Sequence, residues 1–243
     1  MKYVGSKARL SKDIVPIINK LIKENNIDTY IEPFVGGANM IEHINCNRKI
    51  GYDSNKYLIS MWIKLQKGWI PPMEFTKEEY IDVKNNMENK YEDYFIGLVG
   101  FCATYNAGWF RRWGGSAITK NGKVRNYYNE SVRNILNQLP KLKDVEFACE
   151  DSLELNFKDC LIYCDAPYQK SSYEMYKDSF DYNKYWDKVR EWSKDNIVLI
   201  SEYEAPNDFI CIFEKKITTT FDNKQRKKDT EKLFIHKDKV NKF

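Results

Sequence analysis

Short apolar runs that stop at a glycine or an aspartate, separated by stretches of helical periodicity, constrain this chain more than any other feature. Tyr30-Ile31-Glu32-Pro33-Phe34 runs into Val35-Gly36-Gly37-Ala38, after which Asn39 to Ile44 resumes a helical pattern. A second run, Lys49-Ile50-Gly51-Tyr52, ends on Asp53 and leads into a helix expected from Asn55 to Leu65. Two successive strand–turn–helix units put their loops at strand carboxyl ends, the edge at which open α/β sheets bind ligands. Ahead of them, Ile14, Ile17, Ile18, Leu21 and Ile22 recur at helical spacing, which predicts a helix from Ser11 to Glu24 with Ser11 as its N-cap. Later strands are expected at Val145–Cys149, Cys160–Cys164 and Asn196–Ser201, with a helix from Tyr182 to Trp192 joining the last two. Phe209–Glu214 and Lys232–His236 read as a closing pair of strands around a charged loop.

The early and late strands are interrupted from about Leu58 to Asp144. Within that interval helices are expected at Lys77–Asn89 and Tyr91–Thr104, followed by a Gly-rich basic segment. There Asn121-Gly122, between Ala117-Ile118-Thr119 and Val124-Arg125, signals a hairpin with a two-residue turn. A length of 243 residues suits one large domain with an insertion, and 42% apolar residues suffice for a core. The expected division is therefore 1–57 and 145–243 as one domain, with 58–144 inserted.

Apolar runs such as Ile197-Val198-Leu199-Ile200 fall far short of the roughly 18 residues of a membrane span. The N-terminal MKYVGSKARL has no apolar signal core. Six cysteines without a close CxxC pair read as reduced core thiols, so a cytoplasmic location is expected, with no membrane partner. With only His43 and His236 and no Cys/His cluster, neither a metal site nor a histidine-based triad is expected. Chemistry is left to carboxylates, aromatics, lysines or a bound cofactor.

Net charge is +4, but its distribution says more. From Tyr105 to Tyr128 the chain carries Arg111, Arg112, Lys120, Lys123 and Arg125 without an acid, interleaved with Trp109, Phe110, Trp113, Tyr127 and Tyr128. Cations mixed with aromatics suit a phosphate backbone and stackable bases. The same residues also fit a surface hairpin whose aromatics pack on the preceding helices. A second basic stretch begins at Lys224 with Arg226, Lys227 and Lys228; it fits a solvated surface as well as a nucleic-acid contact.

Three loops can carry chemistry. The glycines after the first strand let a ligand approach backbone and a helix N-terminus, although Gly-Gly also serves plain turns, and the dinucleotide pattern GxGxxG is absent. Asp53, 17 residues after Gly36, stands where an acid accepts ribose hydroxyls; it could equally cap the next helix. Asp165-Ala166-Pro167-Tyr168 directly follows an apolar strand, where it is either a turn or a reactive edge.

Together, Tyr3-Val4-Gly5-Ser6-Lys7, Glu32-Pro33-Phe34-Val35-Gly36-Gly37-Ala38-Asn39, Asp53 and Asp165-Ala166-Pro167-Tyr168 occur in the order seen in Dam-type adenine-specific DNA methyltransferases, and the sequence resembles their phage-encoded relatives over nearly its whole length. The resemblance implies a Rossmann-like class I methyltransferase: an α/β fold with a seven-stranded sheet and an inserted, mainly helical target-recognition region bearing a β-hairpin. It implies S-adenosylmethionine as cofactor, double-stranded DNA as partner and a monomeric enzyme. Tyr3, Gly5, Ser6 and Lys7 would lie against the cofactor, the loop Phe34 to Ala38, with Gly36 and Gly37, would cradle its methionine part, and Glu32, Pro33 and Asn39 would also contact the cofactor. Asp53 would hold the ribose, Asp151 and Ser152 would lie near the adenine, and Asp165 would border both cofactor and target. Asp165, Ala166, Pro167 and Tyr168 would act on the target base; Arg111, Arg112, Trp113, Lys120, Lys123 and Arg125 would meet DNA.

One position departs from the family pattern DPPY: Ala166 replaces the first proline. Alanine keeps the carbonyl that accepts from the target amino group but lacks proline's fixed φ. An offset of about 1 Å there can cost on the order of 100-fold in rate. Three readings follow: a DNA adenine methyltransferase, a methyltransferase acting on RNA or a protein amide, and a DNA-binding homologue that keeps the cofactor pocket without turnover.

Overall fold

The computed structural model describes residues 1–169, 180–222 and 225–243, with side chains described outside 218–228. In chain order the strands are β1 Thr29–Glu32, β2 Arg48–Asp53, β3 Ser116–Ile118, β4 Val124–Asn126, β5 Val145–Cys149, β6 Leu161–Cys164, β7 Ile197–Glu202, β8 Phe209–Asp222 and β9 Gln225–His236. The helices are α1 Ser11–Glu24, α2 Lys56–Gln66, α3 Lys77–Asn85, α4 Met87–Lys90, α5 Asp93–Cys102, α6 Tyr127–Leu142 and α7 Tyr182–Asp195. Seven strands form one sheet in the order β5-β2-β1-β6-β7-β9-β8, and β3 and β4 form a separate hairpin. The chain is thus a Rossmann-like α/β protein.

Contacts gather it into two compact units: Met1–Pro16, Val35–Ile44 and Ile50–Glu150, and Ile17–Phe34, Asn45–Lys49 and Asp151–Phe243. In the first unit α2 packs on α5, burying Leu58, Met61, Trp62 and Leu65 beside Ile96, Leu98 and Val99. Gly97 makes this approach feasible, because a Cβ there would lie 2.2 Å from the Tyr57 carbonyl oxygen. In the second unit β6 is buried along its whole length, parallel to β1 through Tyr30↔Leu161 and to β7 through Leu161↔Ile197. A strand covered on both faces reads as a continuous apolar run, as Leu161 to Cys164 does. Helix α7 packs on β7 through a buried face of Tyr185, Val189 and Trp192.

Several expectations need correction. Asn39 to Ile44 forms only a 3-10 turn, Ile41–His43, so no helix N-terminus follows the glycine loop. Met40, Ile41 and Ile44 are all buried, and six residues before the chain must turn into β2 cannot repay helix nucleation. Ser11 is the first residue of α1, and its hydroxyl donates to the Ala8 carbonyl oxygen at 3.0 Å. The hairpin turn spans three residues: Thr119 N–H donates to Lys123 O at 2.9 Å, and Gly122 takes φ +73°, the left-handed position that closes a three-residue loop. Helix α6 was not expected, although Asn126 caps it and Tyr128, Val132, Ile135 and Leu142 bury one face. The closing strands lengthen into most of the supposed charged loop, with Thr220 opposite Arg226. Lys224 and the side chains of Arg226, Lys227 and Lys228 lie outside the described residues. Among the cysteines, Cys102, Cys160 and Cys164 are buried, but Cys149 and Cys211 are exposed and Cys46 is half-buried. Among the described residues no helix is long and apolar enough to cross a membrane.

Candidate active site

In the first unit the glycine loop is held from several sides. Val35 N–H donates to Tyr52 O and Ala38 N–H to Val35 O, both at 2.8 Å. Gly36 and Ala38 adopt positive φ, +46° and +54°. The Trp62 indole N–H donates to Gly36 O at 3.1 Å, and the Gln138 amide donates to Gly37 O at 3.1 Å and Ala38 O at 2.9 Å. Asn39 Nδ2 donates to Ser6 Oγ at 2.9 Å, tying the N-terminal segment to the loop. Tyr3 explains the glycines: a Cβ on Gly36 would lie 2.7 Å from its Cε1, and one on Gly37 would lie 2.8 Å from its Cβ. The space a side chain would take is therefore filled by Tyr3 at Gly36, and by Asn39 together with Tyr3 at Gly37. Lys7 is buried, with Nζ donating to Gly5 O at 3.2 Å.

Asp53, at the end of β2, accepts from Gly36 N–H through Oδ2 at 3.1 Å and from Asn55 N–H through Oδ1 at 2.9 Å. Asn55 itself caps α2 by accepting from Leu58 N–H. Burial pushes the Asp53 carboxyl up, while the two backbone donors pull it down. Each of its oxygens accepts one described N–H and has a further lone pair, which is the complement of a vicinal diol. The hydroxyls of a ribose could donate to that pair of acceptors.

In the second unit Glu32 is buried and accepts from the Tyr30 hydroxyl at 2.8 Å. Ser152 donates to Pro33 O at 2.9 Å, fixing the backbone before Phe34, whose ring meets Tyr185 edge-on at 5.9 Å. Asp151 is exposed and accepts from Leu153 N–H at 3.1 Å. After β6, Asp165 is half-buried and Ala166 is only 7% exposed. The Tyr168 hydroxyl donates to Glu231 Oε2 at 2.7 Å, and Gln169 N–H donates to Glu202 Oε1 at 2.7 Å. Burial, with Asp165 and Glu231 nearby, raises the Tyr168 phenol well above its ordinary range, so it remains a donor.

The basic segment divides by role. Trp113 packs on Tyr80 at 5.5 Å and Phe75 at 6.2 Å, Phe110 packs on Tyr80, and Trp109 packs on Phe101 and Tyr57. These aromatics pack against one another within the first unit. Arg125 is bidentate to Glu130 at 2.5 and 2.8 Å, and Lys2 reaches the same carboxylate at 2.6 Å. Glu130, which follows the acid-free stretch, is held by these cations down at about 2. Arg111, Arg112, Lys120 and Lys123 are exposed, with the Arg112 guanidinium 5.3 Å from the Tyr105 ring centroid. Sequence reasoning missed Trp62, Gln138, Glu202 and Glu231. Gln138 had a legible signal, a polar residue on the apolar face of α6.

A seven-stranded Rossmann-like sheet, a glycine loop answered by an acid after the next strand, and an Asp-Ala-Pro-Tyr strand end define a methyltransferase fold. The family of D12 class N6 adenine-specific DNA methyltransferases matches residues 3–202, and the chain belongs to it. It is 26% identical over 213 residues to the type II methyltransferase M.FokI of Planomicrobium okeanokoites, covering 79% of this chain and 32% of that protein. It is 26% identical over 191 residues to the modification methylase StsI of Streptococcus sanguinis, covering 69% and 28%. The chain thus spans about a third of the length of these relatives. A solved structure of a candidate RNA methyltransferase from Pyrococcus horikoshii is similar with a TM-score of 0.44 at 8% identity, covering 93% of this chain and 81% of that one.

Proposed function

We propose that this chain transfers a methyl group from S-adenosylmethionine to the exocyclic amino group of an adenine extruded from duplex DNA. The observation that carries the reading is the Asp165–Tyr168 strand end, a half-exposed carboxylate beside a carbonyl on a loop pinned at Tyr168 and Gln169. The cofactor supplies an electrophilic methyl on a sulfonium.

An adenine amino group is a poor nucleophile because its lone pair is delocalised into the ring. The Asp165 carboxylate and the Ala166 carbonyl accept hydrogen bonds from its two N–H groups, draw the nitrogen toward tetrahedral geometry and stabilise the positive charge that develops, and the methylated nitrogen then releases one proton through the Asp165 carboxylate to solvent. Tyr168 offers a ring on which the extruded base stacks. Extrusion costs a few kcal/mol, which phosphate contacts from the exposed cations of the insertion offset. Asp53 receives the ribose hydroxyls, and Phe34 to Asn39, with Tyr3 to Lys7 packed against them, shape the methionine end. In this reading 1–57 and 145–243 carry catalysis and 58–144 carries recognition.

Radiolabelled methyl transfer to duplex DNA, followed by digestion to nucleosides, tests the reaction; the expected product is N6-methylated deoxyadenosine. Label on RNA or protein instead would reassign the substrate, and cofactor binding without transfer would leave a DNA-binding homologue. Asp53→Ala should weaken S-adenosylmethionine binding by about 1.5 to 3 kcal/mol, the range for charge-assisted hydrogen bonds. Calorimetry reads this directly, and unchanged affinity removes Asp53 from the ribose role. Ala166→Pro restores the family motif. Ala166 lacks a positive φ, and among the described residues its N–H makes no hydrogen bond that a proline would remove. If the missing proline limits preorganisation, the variant should methylate faster with little change in cofactor affinity; an unchanged rate would mean that other contacts already hold the loop, and a slower enzyme that the backbone has settled on a geometry proline cannot share.

A further inference from the structure

Two buried carboxylates of the second unit, Glu202 and Glu231, are absent from the reaction just described. Glu202 is the last residue of β7 and 6% exposed; Glu231 lies on β9 and is 7% exposed. Buried carboxylates are costly unless fully hydrogen-bonded, so what they bond to is informative. Glu202 spends Oε1 on Gln169 N–H and Oε2 on Tyr203 N–H, both at 2.7 Å. Glu231 receives the Tyr168 hydroxyl. Register sets both acids beside the loop: Cys164 of β6 pairs with Ile200 of β7, two residues before Glu202, and Glu202 pairs with Lys232, the neighbour of Glu231. The Tyr203 ring adds a perpendicular contact with Tyr168 at 4.7 Å and 86°. One acid thus holds main chain and the other holds a side chain, at successive residues and from successive strands of the sheet.

We propose that Glu202 and Glu231 are positioning residues that clamp the Asp165–Gln169 loop in its reacting geometry, supplying through hydrogen bonds the restraint that a proline at position 166 would supply covalently. A proline restrains one torsion locally. The carboxylates instead fix the loop two and three residues downstream of Ala166, leaving the carbonyl at that position between a strand end and two anchored residues. Displacement of that carbonyl by about 1 Å is enough to cost on the order of 100-fold. The chain can therefore do without the proline while the clamps stand. This inference rests on the methyl-transfer reading for its kinetic consequence, but not for the clamp itself.

The test measures single-turnover methyl transfer to duplex DNA, cofactor and DNA affinity, and amide exchange at Gln169, in Glu202→Ala and Glu231→Ala, each with and without Ala166→Pro. Both alanine variants should lose about 30- to 100-fold in rate at saturating cofactor and DNA, with both affinities within about twofold of wild type. Glu231→Gln, which keeps an acceptor for Tyr168, should retain about a third of the rate or more, and Ala166→Pro should recover at least about tenfold in Glu202→Ala. Alanine variants as fast as wild type would overturn the proposal, as would a loss that Ala166→Pro leaves untouched. Should an alanine variant not fold, Tyr168→Phe removes one clamp from the loop side without emptying the core, and an unchanged rate there overturns that clamp. If the wild type transfers no methyl to DNA, the functional reading fails separately. Gln169 exchange in Glu202→Ala still decides the clamp, which is refuted by protection equal to wild type and supported by its loss.

Discussion

Asp165→Ala should abolish methyl transfer to DNA while leaving the fold and duplex binding near wild type. The carboxylate's proposed partner is the target nitrogen, whose lone pair is unavailable until its protons are drawn into hydrogen bonds. Removing an acceptor aimed at developing charge costs about 100- to 1000-fold in comparable sites, or roughly 2.7 to 4 kcal/mol. Because Asp165 is half-buried, its truncation leaves no large cavity in the β6 core. The loop behind it stays anchored through Tyr168 and Gln169, so a rate loss reports chemistry rather than collapse. Single-turnover kinetics at saturating cofactor is the measurement. Retention of more than a tenth of the wild-type rate, a loss below about 1.4 kcal/mol, would sink the mechanism.

Arg111→Glu combined with Arg112→Glu should weaken duplex binding strongly and flatten its salt dependence, with S-adenosylmethionine affinity unchanged. The structure keeps these two cations suited to the test. Arg125 is neutralised by Glu130, and the Trp113 ring packs on Tyr80 and Phe75, so changing either would test the stability of the first unit instead. Arg111 and Arg112 are exposed, and the local backbone is held without their charges, through Tyr105 N–H donating to Arg112 O at 2.7 Å. Each lost phosphate contact lowers the salt slope by about 1, so the pair should lower it by about 2. If either arginine reads a base, its single alanine variant should also relax preference at one position of the site by about 1 to 3 kcal/mol. Affinity and preference unmoved by the double reversal would shift recognition elsewhere, first to the basic stretch from Lys224 to Lys228.

Where a segment's fate depends on its immediate neighbours, the amino-acid sequence by itself determined it. Apolar runs such as Leu161 to Cys164 are buried on both faces whatever their partners, and the spacing of Ile14, Ile18, Leu21 and Ile22 specifies one helical face; β6 and α1 follow the pattern. The glycine loop, Asp53 and the Asp165 strand end were legible for the same reason, since each is a short stretch whose residue types fix local backbone or carry the chemistry. Asn39 to Ile44 was misread because helical spacing over six residues cannot show that the chain must turn into β2. Only tertiary structure decided the pairings between distant segments. Gln138 reaches Gly37 across 101 positions, and Glu231 reaches Tyr168 across 63. No periodicity encodes such a meeting, because a polar side chain in a helix or strand carries no mark of its partner. The same holds for charge: the sequence shows Arg125 as a cation without an acid nearby in its segment, and only the fold brings Glu130 of α6 against it, just as only the fold brings Glu231 to Tyr168. Local sequence specifies which backbone forms; the order in which strands and helices are laid side by side specifies which buried polar groups satisfy one another, and in this protein those pairings hold the proposed site.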